Sequence, residues 1–192
     1  MDPNALRSFR SDRTAPAVRE AAPHERAAIR DLLTTAYAQY RTAIPAEIWG
    51  RYRSDLLDLD RHARSGQLLV ATLDGAIAGY TAFYPDATAQ GLGWPTGWAS
   101  GRGLAVDPRH RGRGIAESLM LACEIRAAQS HAPVFAFHTS DFMRTARALY
   151  ERLGYRRAPE FDRDLGAHFG VESSAKWTAL AYLKPVVLSA AA

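Results

Sequence analysis

Apolar positions change their period several times along the chain, and each change predicts an element. Ala17–Glu20 reads as a short strand. After Pro23, Ile29, Leu32, Leu33, Ala36 and Tyr37 recur at helical spacing, which predicts a helix opened by that proline. Ile48, Tyr52, Leu56 and Leu59 predict a second helix from Ala46 to about Arg64, ended by Gly66. The stretch "QLLVATLDGAIAGYTAFYP" holds two apolar runs around Asp74-Gly75, a dipeptide that tolerates positive φ, so it predicts a tight antiparallel hairpin. A linker with Gly91, Gly93, Pro95 and Gly97 leads to a strand from Ala99 to Asp107, closed by Pro108, and then to a helix from about Ala116 to Gln129. "PVFAFHTS" predicts a strand and "FMRTARALYERLGY" a helix stopped by Gly154. "YRRAPEFD" and "AKWTALAYLK" read as a last pair of strands around a polar insertion, Arg163 to Ser174.

This alternation predicts an α/β protein with one domain over residues 17–188, no internal repeat, and a polar, arginine-rich flexible tail over residues 1–16. Composition adds limits. The chain has 192 residues, 47% of them apolar, enough to bury a core. Its formal charge of +4 comes almost wholly from arginine, since Lys176 and Lys184 are the only lysines, and suits an anionic ligand as well as a nucleic acid. Cys123 is the only cysteine, which excludes an internal disulfide and fits a reducing, cytoplasmic compartment. No apolar run approaches the ~18 residues of a spanning helix, so no membrane partner is expected. Six histidines without close ligand spacing predict no metal site.

One segment does not reduce to patterning. "RHRGRGIA", Arg109 to Ala116, joins the end of a predicted strand to the start of a predicted helix. Arginines and glycines make an ordinary solvated loop, but at this position unpaired N–H groups and the helix dipole also favour an anion, and phosphate above all. Gly112 and Gly114 let the backbone curl, and arginine side chains add charge-assisted bonds. Neither GxGxxG nor GxxxxGK[ST] is present, so another phosphate carrier than NAD or ATP is wanted.

"LAVDPRHRGRGIAESLM" resembles the signature of the GNAT superfamily of acyl-CoA-dependent N-acyltransferases, [RQ]xxGx[GA], with Arg109, Gly112 and Gly114 at its defined positions. "ARALYERLGYRR", Ala146 to Arg157, resembles the family's later AxxLYexxGF segment, with Tyr155 for the usual Phe. The resemblance implies a mixed, mostly antiparallel central sheet flanked by helices and splayed at an acyl-CoA cleft. It implies acetyl-CoA as cosubstrate and a primary amine, expected to be a small molecule, as acceptor. The backbone N–H groups of Arg111, Gly112, Arg113, Gly114, Ile115 and Ala116 would then hold the coenzyme A pyrophosphate, and Leu104, Ala105 and Val106 would pair with the pantetheine arm. An N–H near Ala105 or Val106 would stabilise the oxyanion, and Tyr150 would protonate the departing thiolate.

Two departures stand out. Met143 occupies a position where many relatives have an asparagine that contacts the cofactor, and "GWASGRGLAV" lacks the glutamate base many relatives carry, leaving Ser100 nearby to position a water. These departures keep open a CoA-binding sensor without catalysis. A nucleic-acid-binding module is the weaker alternative, because no stacking aromatics are interleaved with the arginines. Tyr37, Tyr40, Trp49 and Tyr52 lie on the early helices that in the family often line the acceptor pocket, and read mostly as packing; His138 reads as structural. The region from Arg157 to Lys176 carries Glu160, Asp162, Asp164 and Glu172 and reads either as a solvated flap or as a cover over the acceptor side of the cleft, where one or more of these carboxylates attracts a cationic amine. A homodimer is left open.

Overall fold

The computed structural model describes residues 15–171 and 177–187; most of the expected tail and Glu172 lie outside the described residues. The order of elements is β1 (Ala17–Glu20), α1 (Arg26–Tyr37), α2 (Ala46–Leu57), α3 (Leu59–Ser65), β2 (Gln67–Leu73), β3 (Ala76–Tyr84), β4 (Ala99–Val106), α4 (Ile115–Gln129), β5 (Val134–Thr139), α5 (Arg144–Arg152), β6 (Arg156–Arg157), β7 (Arg163–Asp164), α6 (Leu165–His168) and β8 (Thr178–Pro185).

The strands form one open sheet in the order β1-β2-β3-β4-β5-β8-β6, with β7 pairing β8. Every pairing is antiparallel except β4 with β5, which is parallel and limited to Ala99↔Phe135 and Ser100↔Ala136. Beyond Ser100 the two strands part, and the sheet opens into a wedge. Both faces are covered, as the apolar content of β2 requires: Leu69, Ala71 and Leu73 pack under α4, while Leu68 and Val70 pack under α1, α2 and α3. The hairpin between β2 and β3 turns on Asp74 (φ 51°) and Gly75 (φ 82°), the two positive-φ positions its dipeptide predicts.

A bulge bends β4. Tyr80 pairs with Ala105 and Ala82 with Arg102, so Gly103 and Leu104 both face Thr81. Gly103 sits at φ +70°, where an L side chain is strained.

Two expectations need correction. The single helix from Ala46 to Arg64 is two helices. Asp58 leaves the helical region (ψ 67°) and its carboxylate accepts from the Arg61 N–H at 3.0 Å, so an N-cap competes successfully with helix continuation. The late polar segment is not a plain strand-insertion-strand unit. Pro159 turns the chain after only two residues of β6, and Arg163–Asp164 returns to pair with β8 before α6.

Between α2, α3 and β3 lies a buried polar cluster. His62 Nε2 donates to the Asp55 carbonyl at 2.8 Å, and the Tyr84 hydroxyl donates to Nδ1 at 2.5 Å, which fixes the neutral tautomer. Burial, with Arg102 adding repulsion, pushes the imidazole pKa down to about 4; burial does the same at His138. Between pH ~6.5 and about 4 the unfolded chain therefore binds more protons than the folded one, and stability falls as pH drops through that window. Unfolding free energy measured in urea should decline there by up to about 1.4 kcal/mol per pH unit for each histidine. His62→Gln should remove its share of the slope; an unchanged slope would show that His62 is protonated in the fold.

Candidate active site

The wedge between β4 and β5 is continuous with a cavity of about 550 Å³. Its floor is β4 from Gly101 to Val106; α1 and α2 wall one side, α5 the other, and the loop before α4 closes one end. Within β4, the Asp107 N–H donates to the Ala78 carbonyl at 2.9 Å, so strand alternation turns the N–H and C=O of Val106 away from β3 and toward the gap. The Leu104 carbonyl accepts from the Tyr37 hydroxyl at 3.3 Å.

The loop after β4 is shaped by its glycines. Gly112 (φ +72°) and Gly114 (φ +76°) adopt the left-handed conformation, and a Cβ at either would meet nothing within 4 Å. Gly114 is the N-cap of α4 and brings no side chain to the helix end, so the N–H groups of the first turn point outward without an intrahelical acceptor. Arg111, Gly112, Gly114 and Ala116 line the cavity at this end. A concave, donor-rich, open-faced loop of this kind fits a phosphate group, and the strand edge running from it fits an extended polar chain.

Not every loop residue faces the cavity. Arg109 folds back on Asp107, its guanidinium and N–H both donating to that carboxylate at 2.7–3.3 Å, and this pairing holds the Asp107 carboxyl down to about 2. Arg113 lies 3.6 Å from Asp74 at the hairpin turn. Ile115 is buried in the core at 2% exposure, leaving only its backbone to the loop. The signature arginine and these two neighbours therefore shape the loop, while Leu104, Ala105, Val106, Arg111, Gly112, Gly114 and Ala116 share the cavity wall with Tyr150.

Tyr150, on α5, is buried against Phe137, with ring centroids 4.4 Å apart. Burial, helped by Tyr40 and Tyr52, raises its pKa well above the ordinary tyrosine value, so it keeps its proton throughout the neutral range. Met143 also lines the cavity, and its sulfur accepts from the Thr139 hydroxyl at 3.6 Å. Ser100 does not. It is fully buried and accepts from Gln90 Nε2 at 2.9 Å, so the expectation that it positions a water at the site is withdrawn.

The far end of the cavity is aromatic. Tyr37, Tyr40 and Tyr52 reach its wall and Trp49 packs behind them, 6.3 Å from Tyr52. Trp177 stands edge-on to Tyr52 at 4.8 Å and donates from Nε1 to Ser140 Oγ at 2.7 Å. His138 lines this end too. It stacks on Trp94 at 4.4 Å and pairs through Nε2 with the Phe161 carbonyl at 2.8 Å. Arg102 lies here as well, ion-paired with Asp55 of α2. Periodicity could not signal Arg102 or Trp177 as site residues, because what matters is the element that arrives opposite them.

The insertion carboxylates are engaged in the fold. Asp162 accepts from Arg157 at 2.7 and 2.8 Å and from the Ala181 N–H at 2.8 Å, and Asp164 caps α6 through Gly166 and Ala167. Glu160 is exposed. Asp162→Asn is accordingly expected to lower stability by about 1–3 kcal/mol, the usual loss when a charged hydrogen-bond partner is removed, and urea unfolding checks it. A change in amine KM without a loss of stability would restore the acceptor role expected for this carboxylate.

The family model described as "Acetyltransferase (GNAT) family" matches residues 27–155. No curated protein matches the chain. Among solved structures, the ribosomal-protein-S18-alanine N-acetyltransferase of Escherichia coli is similar with a TM-score of 0.64 at 15% identity, covering 91% of this chain and 96% of its own. A GNAT-family acetyltransferase from Staphylococcus aureus Mu50 gives 0.66 at 14% identity, covering 90% and 99%. YncA of Salmonella typhimurium, solved with its cofactor acetyl-CoA, gives 0.61 at 16% identity, covering 93% and 98%.

Proposed function

Because the chain belongs to the GNAT acetyltransferase family, which uses acetyl-CoA, we propose that it moves the acetyl group to the primary amine of a small molecule by direct attack, with Tyr150 as general acid. One observation carries the reading: a single cavity joins the glycine loop, the open edge of β4 and Tyr150 to an end lined by aromatic residues.

The thioester and its phosphates fit the residues present. Acetyl-CoA supplies the activated acyl group; the protein supplies position and charge. The first turn of α4 and Arg111 would receive the pyrophosphate. The backbone of Val106, turned to the gap, would offer one donor to the extended arm or to the carbonyl oxygen, where a preorganised N–H is worth most. Tyr150 holds a proton at neutral pH and lines the cavity, which supports it as the donor to the leaving sulfur. Attack needs a neutral amine, and the aromatic walls favour that form by excluding water; as the C–N bond forms and the C–S bond breaks, the proton shed by nitrogen restores the one that Tyr150 gives to sulfur. Holding both reactants in one cavity removes much of the entropic barrier.

Thiol release from acetyl-CoA, followed over primary amines of different size and charge with mass spectrometry of the product, tests the proposal. The expected result is amine-dependent thiol release with an N-acetylated product. Thiol release that no amine accelerates, with acetyl-CoA bound, would overturn it.

A further inference from the structure

Arg102, on β4, lines the cavity together with the aromatic residues and also borders a smaller hollow with Arg61, His62 and Tyr84; among the described residues it is the charged side chain at that end of the cavity. Among the described residues its hydrogen bonding is confined to Nη2, which meets Asp55, and its buried Nε–H has no partner. A buried donor left unpaired costs about 1–3 kcal/mol, a penalty that a bound acceptor atom removes. Asp55 is moreover shared: its other oxygen pairs with Arg61, which itself lies 3.9 Å from Asp58, so the Asp55 carboxylate is divided between two guanidinium groups and does not saturate Arg102. His62, kept neutral by burial with its tautomer set by the Asp55 carbonyl and the Tyr84 hydroxyl, and His168, whose pKa burial also lowers, add no negative charge. The carboxylate that does line the cavity, Glu117, lies at the α4 end and pairs with Arg152.

Resting on the transferase reading above, we infer that the acceptor is a small amino acid, an amine carrying a carboxylate on a short skeleton, and that Arg102 is the anchor for that carboxylate. The guanidinium has five donors in a planar fork matched to a carboxylate, and Asp55 leaves part of that fork unused. Distance also fits a short molecule. Arg102 and Val106 are four positions apart on a bulged strand, on the order of 10–13 Å at ~3.3 Å per residue, a gap that a short molecule with a hydrogen bond at each end can bridge. The remaining body of the acceptor meets Tyr37, Tyr52 and Trp177, so an apolar or aromatic side group is favoured. A polyamine finds no unpaired carboxylate among the lining residues.

Matched pairs test the inference: the common α-amino acids, β-alanine and γ-aminobutyrate, each beside the amine that lacks its carboxylate, assayed by thiol release. At least one amino acid should be acetylated with kcat/KM about 10–100-fold above its decarboxylated partner, the worth of a charge-assisted pair in a partly buried site. Removing Arg102 alone would leave one oxygen of Asp55 without its partner and change the charge of the cluster, so the informative variant is the double change Asp55→Asn with Arg102→Gln, which leaves the net charge unchanged. It should lose the preference while keeping the KM for acetyl-CoA. Equal or better turnover of the decarboxylated amines overturns the anchor and leaves the transferase reading standing. Turnover of neither set overturns the anchor as well. If calorimetry then shows no acetyl-CoA binding, the transferase reading falls separately.

Discussion

Replacing Tyr150 by phenylalanine is expected to slow acetyl transfer by about 10²–10⁴-fold, the usual contribution of a positioned general acid. The substitution is clean. Phenylalanine keeps the ring that packs on Phe137, Tyr155 and Tyr182, and only the hydroxyl facing the cavity is lost. Stability and acetyl-CoA affinity should therefore change little. Burial keeps the phenol protonated well beyond neutral pH, so the loss should be the same from pH 6 to pH 9 and not follow a titration in that range. Single-turnover rates are the proper readout, because slow product release masks a chemical step in steady state. A phenylalanine variant with wild-type single-turnover rates would reduce Tyr150 to a packing residue.

Gly112→Glu should weaken acetyl-CoA binding by at least about 100-fold. In the free protein a Cβ at this position meets nothing within 4 Å, so the variant bears only the strain of φ +72°, about 1–2 kcal/mol, and should fold. The open space that makes it tolerable to the fold is the space where a phosphate would sit, and a carboxylate there opposes a ligand that is itself anionic. Gly112→Ala carries the strain without the charge and serves as the control. Calorimetric titration with coenzyme A decides the matter; a folded Gly112→Glu protein with unchanged affinity would remove the phosphate from this loop.

Much of the architecture was legible because it follows from short-range rules. Asp74-Gly75 specified its hairpin, the α1 and α4 stripes specified their helices, and the glycine signature marked a strand-to-helix loop. Where sequence reading failed, a capping or pairing choice had overridden periodicity. The apolar stripe of Ile48, Tyr52, Leu56 and Leu59 continues smoothly through Asp58, yet the Asp58 side chain takes the Arg61 N–H and breaks the helix. The site divides in the same way. Loop and strand residues next to the signature could be named, but Arg102 reads as one more arginine until α2 delivers Asp55 beside it, and His138 as core until Phe161 returns to fix its tautomer. The insertion misled for a related reason: acidic residues look like ligands for a cation, and only Arg157 and the free backbone of α6 show that Asp162 and Asp164 are engaged within the fold.

The two-residue contact between β4 and β5 has a mechanical meaning. It makes the sheet a pair of leaves on a short hinge, one leaf carrying the glycine loop and the other carrying Tyr150 on α5, so the parts proposed above to cooperate in catalysis belong to opposite leaves. A ligand laid along β4 supplies contacts the hinge lacks and fastens the leaves together. Ligand occupancy and cohesion of the fold are then coupled: at about 100 times its dissociation constant, a ligand that binds only the folded state adds roughly 2.7 kcal/mol to stability. Much of that gain falls on the seam, where two register pairs alone hold the strands together.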